Sequence, residues 1–227
     1  SEADGFVLVS KIDQLLNTSL ALTFALQNLK KTIVTTASQI SGTSFIDKKE
    51  VVNNLKHKHG GLSLRANLIN AIQIASQDLP VPAIIFGTRL IPAIKAVPDK
   101  SSDINLFASI DNDYWGKVDF GINVKSGLKY NKQLAKIYSD KLADILVIKD
   151  IPGVPWFFDK NTLSKYKGIF ISISPYQALE KSKQDQIAQW KLPTVLYNYN
   201  LTSPVRGAVS MSNCTKNTAI IKTMWAL

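Results

Sequence analysis

The apolar runs of this chain are short. VPAIIF (81–86) and GIFISI (168–173) are among the longest. Runs of that length suit a buried strand, whereas a membrane span needs ~18–20 apolar residues. Strand-sized apolar runs that alternate with amphipathic stretches commit the chain to an α/β arrangement.

The order of elements narrows this further. Residues 10–31 carry Leu and Ile at helical spacing and end in the Lys30-Lys31 pair, which suits a helix C-terminus. A weaker helical stretch, 47–58, stops at Gly60-Gly61, and a third, 63–77, shows an apolar stripe of Leu64, Leu68, Ile69, Ile72 and Ile74. The texture then changes: 81–87, 103–110 and 117–125 read as strands, the last two joined by the turn-rich DNDYWG. Beyond them come helix 131–143, strand 144–149, strand 168–174, helix 176–190 and late strands at 193–199 and 207–212. The expected fold is α/β, a mixed central sheet flanked by helices. One domain spans 1–227, with a helical N-terminal part at 1–60 and an α/β core at 63–200.

The formal net charge is +10, and the only arginines are Arg65, Arg89 and Arg206, so the surplus is lysine. Such a surplus favours a polyanionic partner, nucleic acid first and an anionic membrane second. The plainer reading is solubility. Cys214 is the single cysteine, which excludes an intrachain disulfide and a cysteine-based zinc site and suits a reducing, cytoplasmic setting. The chain opens at Ser1 rather than Met; a processed start, a cleaved leader and a fragment boundary all remain open. His57 and His59, two residues apart with neither Cys nor acid nearby, form a poor metal signal and read as a basic loop.

The two strands around DNDYWG give the most specific chemistry. In VDFGINVK, Val118, Phe120, Ile122 and Val124 alternate with Asp119, Gly121, Asn123 and Lys125. If Asp111 opposes Lys117, then Asn105 faces Asn123 and Asp103 faces Lys125. Alternation puts those four polar side chains on one face. A carboxylate and a carboxamide oxygen are hard ligands suited to Mg²⁺, and an adjacent lysine orients a water and stabilises charge on a phosphoryl group. The alternative is an exposed cross-strand ion pair worth under ~1 kcal/mol.

SSDINLFASIDNDYWGKVDFGINVKSG (101–127) resembles the core of the PD-(D/E)xK nuclease superfamily, and within it the type II restriction endonucleases. The resemblance implies an αβββαβ core over roughly 63–150 and makes Asp103 the metal-binding Asp. Asn123 takes the position usually held by an acid, and Lys125 is the motif lysine. Asp103 and Asn123 would hold Mg²⁺. Asn123 departs from the pattern and would weaken that grip. Glu50 is the carboxylate on offer from a nearby helix. The implied activity is Mg²⁺-dependent, sequence-specific cleavage of double-stranded DNA by a homodimer in a prokaryotic cytoplasm, with no membrane involved. Lys129, Asn131, Lys132 and Gln133 would contact the phosphate backbone, and Arg206, in the Pro/Gly turn LTSPVRG, would read guanine; a solvated helix start and an ordinary turn are the plain alternatives. Two rivals stand beside it. Residues 168–212 resemble the later half of a periplasmic solute-binding domain, and the charge alone fits a viral or phage nucleic-acid-coating protein.

Overall fold

A computed structural model of the chain describes residues 3–37, 64–102, 104–119, 121–129, 133–138, 141–175, 177–197 and 204–227. The architecture is mixed α/β, with sheets flanked by helices. Contacts divide it into two compact units, Ser1–Tyr138 and Ser139–Leu227.

The first unit begins with a strand inside the third of the chain that reads as helical. Strand β1 (Gly5–Val9) runs into helix α1 (Leu15–Ala25), the short β2 (Leu26–Gln27) and β3 (Thr32–Thr36). The helix predicted at 10–31 is therefore shorter: Leu26–Gln27 are extended, Asn28 has φ +57°, and TIVTT beyond them, β-branched throughout, is completely buried as β3. Helix α2 (Leu64–Ala75), strand β4 (Ala83–Phe86) and strand β5 (Arg89–Pro92) follow. β1, β3 and β4 are parallel neighbours, and β5 turns back antiparallel on β4. Helix α2 buries Asn67, Ala71, Ile74 and Ala75, while Ile69 and Ile72 of the predicted stripe stay exposed at 46% and 56%. Its small alanines allow close approach to the sheet, where Ala71 and Ile74 meet Val34, Leu79, Ala83, Ile85 and Leu90.

The predicted hairpin of 103–110 with 117–125 does not form. Strand β7 (Phe107–Ser109) pairs with β6 (Ala96–Pro98). VDFGINVK itself folds back, with β8 (Gly116–Val118) against β9 (Ile122–Val124) and Asp119 N–H donating to the Gly121 carbonyl at 2.9 Å. Two causes are visible. Phe107 packs edge-on against Phe86, with ring centroids 5.6 Å apart. Gly116 lies so close to β9 that a Cβ there would sit 2.6 Å from the Asn123 carbonyl oxygen. The sheet order is β1–β3–β4–β5–β8–β9. Among the described residues the αβββαβ nuclease core is thus absent. Within the helix predicted at 131–143, residues Lys136–Ile137 form strand β10 against β2. The helix predicted at 47–58 lies outside the described residues.

The second unit follows its sequence closely. Strands β11 (Ile145–Lys149), β12 (Gly168–Ser172), β13 (Thr194–Tyr197) and β14 (Ala208–Met211) form one parallel sheet in chain order. The connections carry helices α3 (Lys160–Ser164) and α4 (Lys181–Gln189), and helix α5 (Lys216–Ala226) ends the chain. Alternation along β12 sends Ile169 and Ile171 to a core with Ile148, Ile187 and Leu196. Phe170 turns to the opposite face, where it stacks on Tyr197 with ring centroids 5.9 Å apart and meets Ala219 of α5. Two covered faces explain why GIFIS is apolar without alternation.

Candidate functional site

In an open sheet of parallel strands, ligands seat beyond the carboxyl ends, where loops rather than ladders satisfy the backbone. In the first unit those ends are Val9, Thr36 and Phe86. The loop Ser10–Gln14 leaves the first of them, and Ser10 N–H is held by the Thr36 carbonyl at 2.9 Å. Asn67, fully buried, ties the other two together. Its Nδ2 donates to the Ala37 carbonyl at 2.8 Å and its Oδ1 accepts from Gly87 N–H at 3.2 Å. Gly87 has φ +64°, and a Cβ there would lie 2.6 Å from the Ile104 carbonyl oxygen, so only glycine fits. Asn105 Oδ1 accepts from the Thr88 backbone N–H at 2.8 Å and from its hydroxyl at 3.2 Å.

Arg89, which opposes Phe86 across β4 and β5, pairs with Asp99 at 2.9 Å. The guanidinium also lies 5.3 Å over the Tyr114 ring and donates to the Phe107 carbonyl at 3.3 Å. The Asp99 carboxyl is held at about 2. The Ser101 hydroxyl and backbone N–H are the main causes, and Arg89 adds to them. The hydroxyls buried in the sheet are committed elsewhere: Thr35 donates to the Ala83 carbonyl at 3.2 Å, Thr36 to the Ile85 carbonyl at 2.7 Å, and Ser19 bonds the Thr35 hydroxyl at 2.6 Å.

A second charged group surrounds Lys95. Its ammonium donates to Asp111 at 2.7 Å and to Asp113 at 2.9 Å, and Lys125 reaches Asp113 at 3.0 Å. The two carboxylates raise the Lys95 pKa, and Lys95, then Lys125, lowers that of Asp113. Lys125 therefore meets Asp113, a residue the sequence reading placed only in a turn. Asn123 opposes Lys117 and not Asn105. Asn123 and Lys125 line the same shallow cavity, about 530 Å³, together with Asp113 and Asp119. Asp103, Asn131, Lys132 and Glu50 lie outside the described residues. Lys129 and Gln133 are exposed, as is Arg206, which belongs to the second unit. Among the described residues no group of three or more His, Cys, Asp or Glu is placed to hold a metal ion.

The second unit has its own polar centre at a carboxyl end. Asp150 directly follows β11 and is fully buried. It accepts from Lys183 Nζ at 2.7 Å and from Gln177 Nε2 at 2.5 Å. Lys183, also buried, donates further to the Ile151 carbonyl at 3.0 Å and lies 5.4 Å over the Trp156 ring. Burial depresses its pKa, but the bonds to Asp150 and Glu180 outweigh that and leave it raised. This pair escaped the sequence reading. Its one signal was an acid that ends the apolar run DILVIKD.

Comparison with known proteins decides the family. The family model for the asparaginase N-terminal domain matches residues 1–133, more than half of the 227 residues.

The chain belongs to the asparaginase family. Three solved structures share the asparaginase fold. L-asparaginase I from Vibrio cholerae superimposes with a TM-score of 0.75 at 20% identity, covering 99% of this chain and 70% of that one. The thermostable L-asparaginase from Thermococcus kodakarensis gives 0.72 at 17%, with the same coverage. A probable cytoplasmic L-asparaginase from Campylobacter jejuni gives 0.65 at 15%, covering 98% of this chain and 70% of that one. No curated protein sequence matches the chain. Asparaginase membership overturns the resemblance to restriction endonucleases, and with it the double-stranded DNA partner, the Mg²⁺ cofactor and the deoxyribonuclease activity. The homodimer, argued from two-fold DNA sites, loses that support. The solute-binding and nucleic-acid-coating alternatives fall as well. Of those expectations, the broad class of hydrolase is the part that fits the asparaginase family. No helix among the described residues is long and apolar enough to cross a membrane.

Proposed function

We propose that this asparaginase-family chain is an amidohydrolase that cleaves the side-chain amide of L-asparagine, with water as acceptor and ammonia and L-aspartate as products. The observation that carries the reading is the family match over residues 1–133, supported by the likeness to three L-asparaginase structures. The carboxyl edge of β1, β3 and β4 is the natural seat for a small zwitterionic amide. Arg89, paired with Asp99, brings a cation to this edge, and the loop Ser10–Gln14 carries Lys11 and Asp13. Ammonia release from L-asparagine, followed in a coupled assay, tests the proposal; no release above the uncatalysed rate would sink it.

One observation favours a second reading, binding without turnover. The hydroxyl–carboxylate couple at this edge is Ser101 with Asp99 at 2.5 Å, and a carboxyl held at about 2 is a weak general base at neutral pH. Titration calorimetry with L-asparagine separates the two. Heat of binding without ammonia release selects the binding protein, and release selects the enzyme.

A further inference from the structure

The second unit contains a groove that the asparagine reading does not use. Its volume is about 620 Å³, inside the range of small-molecule sites. The floor is aromatic and rigid. Trp190 stacks on the buried Trp156 with ring centroids 5.6 Å apart and an interplanar angle of 27°. Phe158 meets Trp190 edge-on at 6.2 Å. Leu163 and Leu192 extend the apolar surface.

The charge of the lining has one sign. Lys160 and Lys191 both line the groove, and no carboxylate is among its described lining residues. The acid next to Lys160 is Asp159, which is committed as the N-cap of α3 and accepts from Thr162 N–H at 2.6 Å. Each described salt bridge of this unit is made by Lys181 or Lys183. The two groove lysines are thus available to an incoming anion, next to a surface that prefers an apolar body.

We propose that this groove binds a small amphipathic anion, an apolar body with one carboxylate or sulfonate head. The body lies against Trp190, Phe158, Leu163 and Leu192, and the head meets Lys160 and Lys191. Aromatic acids and medium-chain fatty acids share this chemistry.

Titration of the full chain with 1-anilinonaphthalene-8-sulfonate tests it. The expected result is saturable binding at one site, with affinity that falls as salt rises. The double variant Lys160→Gln/Lys191→Gln should weaken the dye by about tenfold or more, while the uncharged N-phenyl-1-naphthylamine binds both proteins alike. Leu192→Glu sets a like charge in the groove and should abolish sulfonate binding with an unchanged circular dichroism spectrum. Displacement by decanoate points to an aliphatic ligand and displacement by indole-3-propionate to an aromatic one. Equal dye affinity in wild type and lysine variant, or no displacement by either acid, overturns the proposal.

Discussion

Lys183 and Asp150 form a 2.7 Å ion pair with side chains only 2% and 0% exposed. The pair links the start of α4 to the residue that follows β11. A buried pair is dangerous to halve, because the survivor keeps its desolvation cost without its partner. Lys183→Met should destabilise the chain by about 3–5 kcal/mol in urea unfolding. Removing both charges in Lys183→Met/Asp150→Leu should recover most of that loss. A double-variant loss equal to the sum of the Lys183→Met and Asp150→Leu losses would show that the pair has no mutual dependence.

Asp99 makes a pH-dependent contribution. Its carboxyl is lowered from the ordinary 3.8 to about 2 in the folded chain. The stabilisation is therefore complete above ~pH 4 and disappears as the pH falls through the folded value. Thermal melting of wild type and Asp99→Asn should differ at neutral pH and converge as the pH falls from about 4 towards 2. A constant difference across that window would contradict the assignment to this carboxyl.

Asn67 is expected to matter for stability at the carboxyl edge. Asn67→Leu removes the donor to the Ala37 carbonyl and the acceptor for Gly87 N–H, both in buried residues. Leaving such groups unpaired costs about 1–3 kcal/mol. Chemical denaturation measures this, and a loss below ~0.5 kcal/mol would mean that water replaces both bonds.

Cys214 should be a slow thiol. Burial pushes its pKa above the ordinary 9.0, with Lys222 opposing weakly. The thiolate is the reactive form, so iodoacetamide at pH 8 should label the native chain more slowly than a short peptide carrying the same residues. Unfolding should restore the peptide rate.

The nuclease resemblance shows where local pattern ran out. The segment 101–127 holds Asp103, Asn123 and Lys125 at suggestive spacing, but a metal site built from them requires one hairpin register. A register is a choice among pairings of similar local merit, settled by what the faces touch. Phe107 found Phe86, and Gly116 let β8 and β9 close on each other. The same contacts brought Lys125 to Asp113 rather than to Asp103's predicted position. The N-terminal third misled for another reason: β1 is apolar on its exposed side too, at Phe6, Leu8 and Val9, so no polar–apolar alternation marks the strand in the sequence.

What the sequence alone determined was the nature of the strands of the second unit, from the buried Gly168–Ser172 to the half-exposed Ile145–Lys149 and Ala208–Met211. Strands Ile145–Lys149, Gly168–Ser172, Thr194–Tyr197 and Ala208–Met211 arise where short apolar runs predicted them, because such runs suit a covered parallel sheet whatever their neighbours are. Tertiary structure alone decided which elements pair and which charges meet. Lys183 and Asp150 are 33 residues apart, and Asn67 joins strand ends that lie 30 and 20 residues away. No local pattern carries those meetings. They follow from the packing of helices on sheets, which brings distant polar groups into a low-dielectric interior where each must find a partner.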